Sequence, residues 1–180
     1  MAVHGRSGSG DESTANRASS RRRLLMATGT MLGATLAGCL GRGGPAYDGD
    51  NADADRPVVD VDGEGRTAEE MAAASALAIT EPTEGVSLVE GIEVTSHEFT
   101  LEDDYRGSTV QGVLENTGDD RLSVVEVRVR VYDEAGAQLG MYLDRTGDLE
   151  ANTTWSFTVI LLESPSEIAS YDIAAVGAPA

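Results

Sequence analysis

Side chains that could carry covalent or acid–base chemistry are scarce in this chain of 180 residues. Cys39 is the one cysteine, the histidines are His4 and His97, and no position holds a lysine. A zinc or copper site made of nitrogen and sulfur ligands needs several His or Cys side chains, which this chain lacks. A Schiff base and a phosphate-binding Gly-x-x-x-x-Gly-Lys loop both require lysine, so both are excluded.

Catalysis by the remaining residue types finds equally little support. A Ser-His-acid triad in the part after residue 38 would have to use His97, and no Gly-x-Ser-x-Gly elbow occurs. A single histidine in a predicted strand is more simply interpreted as structural. Acidic residues are so frequent that no particular carboxylate pair stands out. We therefore predict that the protein is not an enzyme and that it has no catalytic residues, resident metal or cofactor.

Cys39 ends the segment Leu36-Ala37-Gly38-Cys39, which resembles the lipobox of exported lipoproteins. Small residues before the cysteine let the chain enter a narrow peptidase cleft, and the thiol then carries the lipid. A disulfide would need a second cysteine. The alternative is ordinary signal cleavage that leaves a free thiol. We predict lipidation of Cys39, with membrane attachment on the extracytoplasmic face.

Arg21, Arg22 and Arg23 precede a mildly apolar run over 24–37. This arrangement resembles the twin-arginine export signal, an address that is read by a receptor. The run is shorter than the about twenty residues that a helix needs to cross a hydrocarbon core of about 30 Å. Residues 1–38 are therefore predicted to be an export signal, with a signal helix, rather than a transmembrane anchor.

The net charge of this chain argues against several classes of binding partner. Residues 1–38 hold five arginines and two acids, which leaves 8 positive and 29 negative residues in 39–180, a net charge of −21. Nucleic acids and anionic membrane surfaces require a basic footprint, so neither is an expected partner. Acids spread along a chain without lysine resemble proteins of extreme halophiles, where molar salt shortens the Debye length to about 3 Å.

The composition predicts a tether followed by one domain. Residues 39–80 are rich in Gly and Asp and poor in large apolar residues, which predicts a disordered acidic linker. Within it, Thr67 and Glu70 have the spacing of a capping box, and the alanine-rich run up to residue 79 favours a short helix. The domain is predicted to occupy residues 81–180.

From about residue 80 the hydrophobic pattern alternates with period two, as in half-buried strands. The clearest case is residues 125–131, where valine alternates with charged residues. Ile92 and Val94 are even-numbered whereas Phe99 and Leu101 are odd-numbered, and this change of phase predicts a bulge near Ser96-His97. The other predicted strands centre on 110–114, 139–143, 155–161 and 171–173.

Turn residues separate these strands at regular intervals. Asn116-Thr117-Gly118-Asp119-Asp120 divides the second strand from the third, and Asp133-Glu134-Ala135-Gly136 divides the third from the fourth. Short strands with turns about every ten residues predict a small antiparallel, immunoglobulin-like β-sandwich. The fold class is therefore all-β.

Residues 116–157 resemble the FxLYD domain, a small immunoglobulin-like β-sandwich of exported archaeal and bacterial lipoproteins. The resemblance rests on the 116–119 turn, the valine strand and Thr154-Trp155-Ser156-Phe157. Val129-Arg130-Val131-Tyr132-Asp133 occupies the naming motif, with Val129 in place of Phe and Val131 in place of Leu. The similarity extends over roughly residues 90–177. It implies a fold and a cellular setting, and it brings no catalytic residues.

Three weaker candidates for binding or modification remain in the domain. Arg128 and Arg130 would stand about 7 Å apart on one face of a strand, where they could contact an acidic partner or pair with Glu115 or with neighbours of Glu126. Asn152 begins an Asn-Thr-Thr sequon, which predicts glycosylation or else a turn that needs asparagine. The acids of 102–104 and 119–120 could contribute to a calcium site, although surface acidity explains them equally well.

The sequence thus predicts a tethered lipoprotein whose β-sandwich contacts another envelope protein or serves a structural role. A ligand-binding lipoprotein that assists solute uptake is the alternative, and it would need a concave apolar pocket.

We expect the fold to depend on salt. Mutual repulsion of the acidic residues is screened in molar salt and unscreened in millimolar salt, so the strand signal in circular dichroism should fade as salt is removed. An unchanged spectrum between the two conditions would contradict the assignment to a halophile.

Overall fold

The computed structural model describes residues 47, 56–61 and 63–180, which all belong to the unit Gly41–Ala180. The predicted signal, with Arg21, Arg22 and Arg23, and the predicted lipidation site Cys39 lie outside the described residues. The elements in chain order are α1 (Ala68–Leu77), β1 (Ile92–Leu101), β2 (Ser108–Asn116), β3 (Leu122–Tyr132), β4 (Gln138–Leu149), β5 (Thr153–Ile160), a single 3-10 turn (Pro165–Glu167) and β6 (Ser170–Pro179).

The strands form two antiparallel sheets of three strands each. We call the sheet with the order β1–β2–β5 sheet I and the sheet with the order β4–β3–β6 sheet II. The two sheets pack against each other through a shared apolar core. The predicted all-β sandwich is therefore confirmed for the part of the chain that the structure describes.

The core follows from the alternation along β3. Val125, Val127, Val129 and Val131 have no exposed surface, and they belong to one cluster with residues of β2 and β5 such as Phe157. Each fully buried valine contributes about 1.5–3 kcal/mol from the removal of apolar surface from water. The charged residues between the valines are thereby directed to the opposite face of sheet II.

The predicted bulge in β1 is confirmed close to its expected place. The register between β1 and β2 shifts between Val94 and Ser96. His97 then pairs with Gly112, where an added Cβ would overlap the carbonyl oxygen of Ser96 and the ring of Phe157. A glycine is needed at residue 112 because the bulged backbone and an inward-facing ring meet there.

Helix α1 begins as predicted, with a reciprocal capping box between Thr67 and Glu70. It ends at Leu77, two residues before the expected end, because the chain turns extended and pairs with a strand. The backbone N–H of Leu143 in β4 donates to the carbonyl oxygen of Ile79 at 2.9 Å.

The expected disordered tether differs from the structure from residue 56 onward. Residues 56–61 and 63–91, which we call the strap, wrap around the sandwich. Val58 pairs with Ser170 at the start of β6, and Ser87 pairs with Gly177 near its end. Between these points the backbone N–H of Thr83 donates to the carboxylate of Glu126 on β3 at 2.9 Å. The strap therefore crosses the outer face of sheet II, from β4 over β3 to β6.

The strap is ordered despite its acidic composition because two of its residues bind it to the sandwich. Val59 is 9% exposed and belongs to the core cluster. The guanidinium of Arg66 donates to the carbonyl oxygens of Tyr105 at 3.0 Å and Leu161 at 2.7 Å, and also to those of Arg106 and Ser108. Burial lowers the pKa of Arg66 from its ordinary value. Burial of Val59 and the hydrogen bonds of Arg66 therefore hold in place a segment whose composition predicts disorder.

The substitution Gly112→Ala should destabilise the fold by about 1–3 kcal/mol, because the new methyl group overpacks the bulge. Gly147→Ala on β4 is the matched control, since the nearest atom to its added Cβ is the carbonyl oxygen of Ser123 at an ordinary 3.5 Å. Chemical denaturation monitored by Trp155 fluorescence would measure both. Equal unfolding midpoints for the two variants would refute the packing argument.

Candidate functional site

Arg128 and Arg130 lie on the outer face of sheet II, and each binds a carboxylate of its own chain. The Nε of Arg128 donates to Glu126, two residues earlier on β3, at 2.6 Å. Arg130 binds Asp172 on the adjacent strand β6 with two parallel hydrogen bonds, of 2.9 Å from Nε and 2.7 Å from Nη2. Glu115, which the sequence offered as a partner, lies on β2 in the other sheet.

Asp172 is the centre of a buried polar cluster. Asp172 has no exposed surface, and its carboxylate also accepts a hydrogen bond of 2.8 Å from the hydroxyl of Tyr132. The Nε of Arg56 lies 3.6 Å from the same oxygen. Burial, together with the hydrogen bond to Asp172, raises the pKa of Tyr132 to about 12, so its hydroxyl remains a donor at neutral pH.

Arginine and tyrosine side chains alternate above this carboxylate. The guanidinium carbon of Arg130 lies 3.5 Å from the ring centroid of Tyr47, and that of Arg56 lies 3.8 Å from the ring centroid of Tyr132. We call these four residues the Arg–Tyr stack. Cation–π attraction strengthens when the cation is partly desolvated, as it is here.

Glu126 forms a second buried acidic centre further along β3. It has no exposed surface, and its two carboxylate oxygens accept from Arg128 and from the backbone of Thr83. The side chains of Arg128 and Arg130 are 12% and 20% exposed. Arg130 thus pairs across strands, which was the alternative considered for these arginines, whereas Arg128 pairs with Glu126 on its own strand. Contact with an acidic partner stays a prediction, and such a partner would have to compete with these carboxylates.

The outer face of sheet I, in contrast, carries small and polar side chains and is open to solvent. Ser96, Val113 and Ser156 form a row of small side chains across its three strands. The next row is Glu98, Gln111 and Thr158. The residues on β1 and β5 in this region are mostly exposed, and together these residues line an open depression of about 450 Å³. We call this surface the open face.

Acidic residues on the open face have no cation beside them in the described structure. Glu93 and Glu115 are direct cross-strand partners, and like charges in that position repel each other. No ion pair within the described residues involves either of them or Glu98. This surface was not predictable from the sequence, because acids occur throughout the chain and their alignment depends on the register.

His97 points into the seam between the two sheets. Its Nδ1 lies 2.9 Å from the hydroxyl of Tyr171 on β6, and the two rings meet edge to face at 5.6 Å. Burial and the nearby charge of Glu98 raise the pKa of Tyr171 to about 12. This geometry agrees with the structural interpretation of His97.

The acids considered for calcium are engaged otherwise or lie apart. Arg106 donates to both carboxylate oxygens of Asp104, and these hydrogen bonds hold the pKa of Asp104 below its usual value. Arg106 also lies 3.5 Å from Glu102. Over residues 56–61 and 63–180, no three His, Cys, Asp or Glu side chains are grouped so that they could hold a metal ion.

Asn152 is exposed, in the turn between β4 and β5, with a positive φ of 55°. Asparagine tolerates this conformation better than most residues, which supplies a backbone reason for its presence. Its N–H donates to the carbonyl oxygen of Asn116 at 2.8 Å. The exposed side chain is accessible for modification, and glycosylation of Asn152 stays a prediction.

Asn116 is a structural residue that the sequence marked only as part of a turn. It is 1% exposed, and its side-chain NH2 donates to the carbonyl oxygens of Asp120, Leu149 and Glu150 at 2.9–3.2 Å. One amide therefore ties the turn after β2 to the turn after β4. These contacts link distant parts of the chain, so no local pattern could have predicted them.

Comparison with known proteins finds an archaeal relative. Over 85 residues, the chain is 31% identical to the uncharacterized protein MJ0360 of Methanocaldococcus jannaschii. The matched region covers 46% of this chain and 62% of that protein. No family model matches the chain, and no solved structure matches it. In the part of the chain that the structure describes, we find no helix with the length and hydrophobicity to cross a membrane.

Replacing Arg130 by Met should destabilise the fold by about 3–5 kcal/mol, because the buried carboxylate of Asp172 would lose its bidentate partner. The matched control is Arg121→Met. Arg121 pairs with Asp148 at 2.7 Å, but both side chains are largely exposed, and such pairs contribute less than about 1 kcal/mol. Urea denaturation of the two variants at the same salt concentration would decide. A loss for Arg130→Met as small as the control's would show that Asp172 is not held by this pair.

Proposed function

We propose that the protein is a membrane-anchored extracytoplasmic lipoprotein whose β-sandwich serves as a protein-interaction or structural module, with the open face as its contact surface. The observation that carries this proposal is the asymmetry of the sandwich. The outer face of sheet II is occupied by the strap and by Tyr47, whereas the open face of sheet I is exposed.

The anchor is inferred from the residues at the start of the chain. The arginines at 21–23 and the lipobox-like segment 36–39 support export followed by lipidation of Cys39. A single acyl chain binds membranes only marginally, so stable anchoring calls for two chains or a further contact. The resemblance of residues 116–157 to the FxLYD domain of exported lipoproteins supports the same cellular setting.

The dimensions of the open face indicate the kind of contact it could make. Three strands spaced by about 4.8 Å, each about eight residues long, give a surface of roughly 14 Å by 26 Å. Stable interfaces bury about 800 Å² on each partner, which is more than this face alone supplies. The expected contact is therefore small and transient, and it is made of hydrogen bonds and charge rather than apolar burial.

Ligand binding in support of solute uptake is the second candidate, and the depression on the open face is the observation that favours it. Its volume of about 450 Å³ falls within the range of small-molecule sites. Such sites bury most of the ligand among apolar side chains, however. The depression is lined by serine, threonine, glutamine and glutamate side chains together with His97, Val113 and Phe157, all from one sheet, so it is open and only partly apolar. A flat protein contact suits this surface better.

Photo-crosslinking in the cells that produce the protein would test the proposal. A photoreactive residue at Ser156 on the open face should give a discrete crosslinked product in the membrane fraction. The same residue at Ala135, in the exposed turn between β3 and β4, is the control and should give none. Cys39→Ala should release the protein into the medium and abolish the product.

Three results would overturn parts of this proposal. A Cys39→Ala protein that stays in the membrane fraction would end the lipid-anchor model. Equal crosslinking at Ser156 and Ala135 would end the assignment of the open face. Labelling of a small molecule instead of a protein at Ser156 would favour the ligand-binding candidate.

A further inference from the structure

Tyr47 is seated on the outer face of sheet II. It is 9% exposed, its ring lies against the guanidinium of Arg130, and its hydroxyl lies 3.6 Å from the sulfur of Met141. Arg130 and Met141 are cross-strand partners on β3 and β4, so they form one continuous surface. Asp172 fixes the plane of the Arg130 guanidinium with two hydrogen bonds. The ring of Tyr47 thus meets a flat cationic surface whose orientation is set by the fold.

The contact of Tyr47 with sheet II limits how far Cys39 can lie from the sandwich. Tyr47 follows Cys39 by eight residues, and Arg56, where the strap begins, follows it by 17. Fully extended, eight residues span at most about 28 Å, whereas 17 residues span about 60 Å. If Tyr47 left its seat, the chain between Cys39 and the sandwich would double in length.

We propose that Tyr47 is a latch that holds the chain after Cys39 against the outer face of sheet II. The functional meaning of the latch rests on the proposed lipid anchor at Cys39. With the latch closed, the lipid would be confined within about 28 Å of sheet II. The open face of sheet I, on the opposite side of the sandwich, would then be directed away from the membrane and toward a partner.

The Arg–Tyr stack makes the latch specific for an aromatic ring. The flat guanidinium of Arg130 offers its face to Tyr47, while its N–H edge is occupied by Asp172. A planar π-system is attracted to this face, whereas an aliphatic side chain gains only dispersion. Phenylalanine should therefore replace Tyr47, with loss of the contact between the hydroxyl and Met141, and alanine should not.

Paramagnetic relaxation in the full chain tests the latch directly. Because Cys39 is the one cysteine, a nitroxide can be attached there without any other substitution. Its broadening of amide signals falls with the sixth power of distance. In the unsubstituted protein, the amide of Met141 in sheet II should broaden more than that of Ser156 on the open face. In Tyr47→Ala, broadening at Met141 should fall about tenfold, because the root-mean-square reach of the free chain grows by about the square root of 17/8.

Two further variants serve as controls. Tyr47→Phe should retain the broadening pattern of the unsubstituted protein. Tyr105→Ala, which removes an exposed tyrosine from the loop between β1 and β2, should also leave it unchanged. Equal broadening of both faces in the unsubstituted protein would overturn the proposal, and this measurement does not depend on any variant folding. Unchanged broadening at Met141 in a folded Tyr47→Ala protein would overturn it as well.

The latch and the lipid anchor can fail separately. The relaxation experiment uses the polypeptide without lipid, so a negative result would remove the latch and leave the anchor untouched. Mass spectrometry that found an unmodified thiol at Cys39 in the native membrane would remove the anchor, and the latch would still hold.

Discussion

The carboxylate of Asp172, which has no exposed surface, determines how one whole side of the sandwich is built. A buried charge is tolerated only when it is paired and fully hydrogen-bonded. Arg130 and Tyr132 from the neighbouring strand provide those bonds, and Arg56 adds a second positive charge at 3.6 Å. Each of these cations in turn lies against a tyrosine ring. The need to pair the buried carboxylate of Asp172 therefore also positions Arg56 and Tyr47, which precede the first strand.

Glu126 has the same role further along β3. Its second carboxylate oxygen accepts from the backbone of Thr83, so the strap is bound to the sheet through a main-chain group rather than a particular side chain. The folded module therefore includes the strap, which precedes the first strand. One face of the sandwich is taken up by its own chain and the other is available, and the proposed function depends on this difference.

The strands were predictable because their signal is local. The valines at 125, 127, 129 and 131 alternate with charged residues, and the change of phase in β1 marks its bulge within a short window. The strap was not predictable, since Val59 and Arg66 are isolated in an acidic segment and their partners lie far along the chain. Part of the candidate site was predictable, because Arg128 and Arg130 are positively charged residues in a strongly acidic chain. Their partners were hidden, because in such a chain neither Asp172 nor Glu126 differs from any other acid until the register is known.

The alignment of Glu93 with Glu115 on the open face also bears on how copies of this protein behave toward one another. An exposed three-stranded sheet with small side chains is a surface on which identical molecules could stack. Two copies brought together there would bury several carboxylates with no counterion between them, which is strongly unfavourable. We therefore expect the opposed glutamates to disfavour stacking of two copies through this sheet.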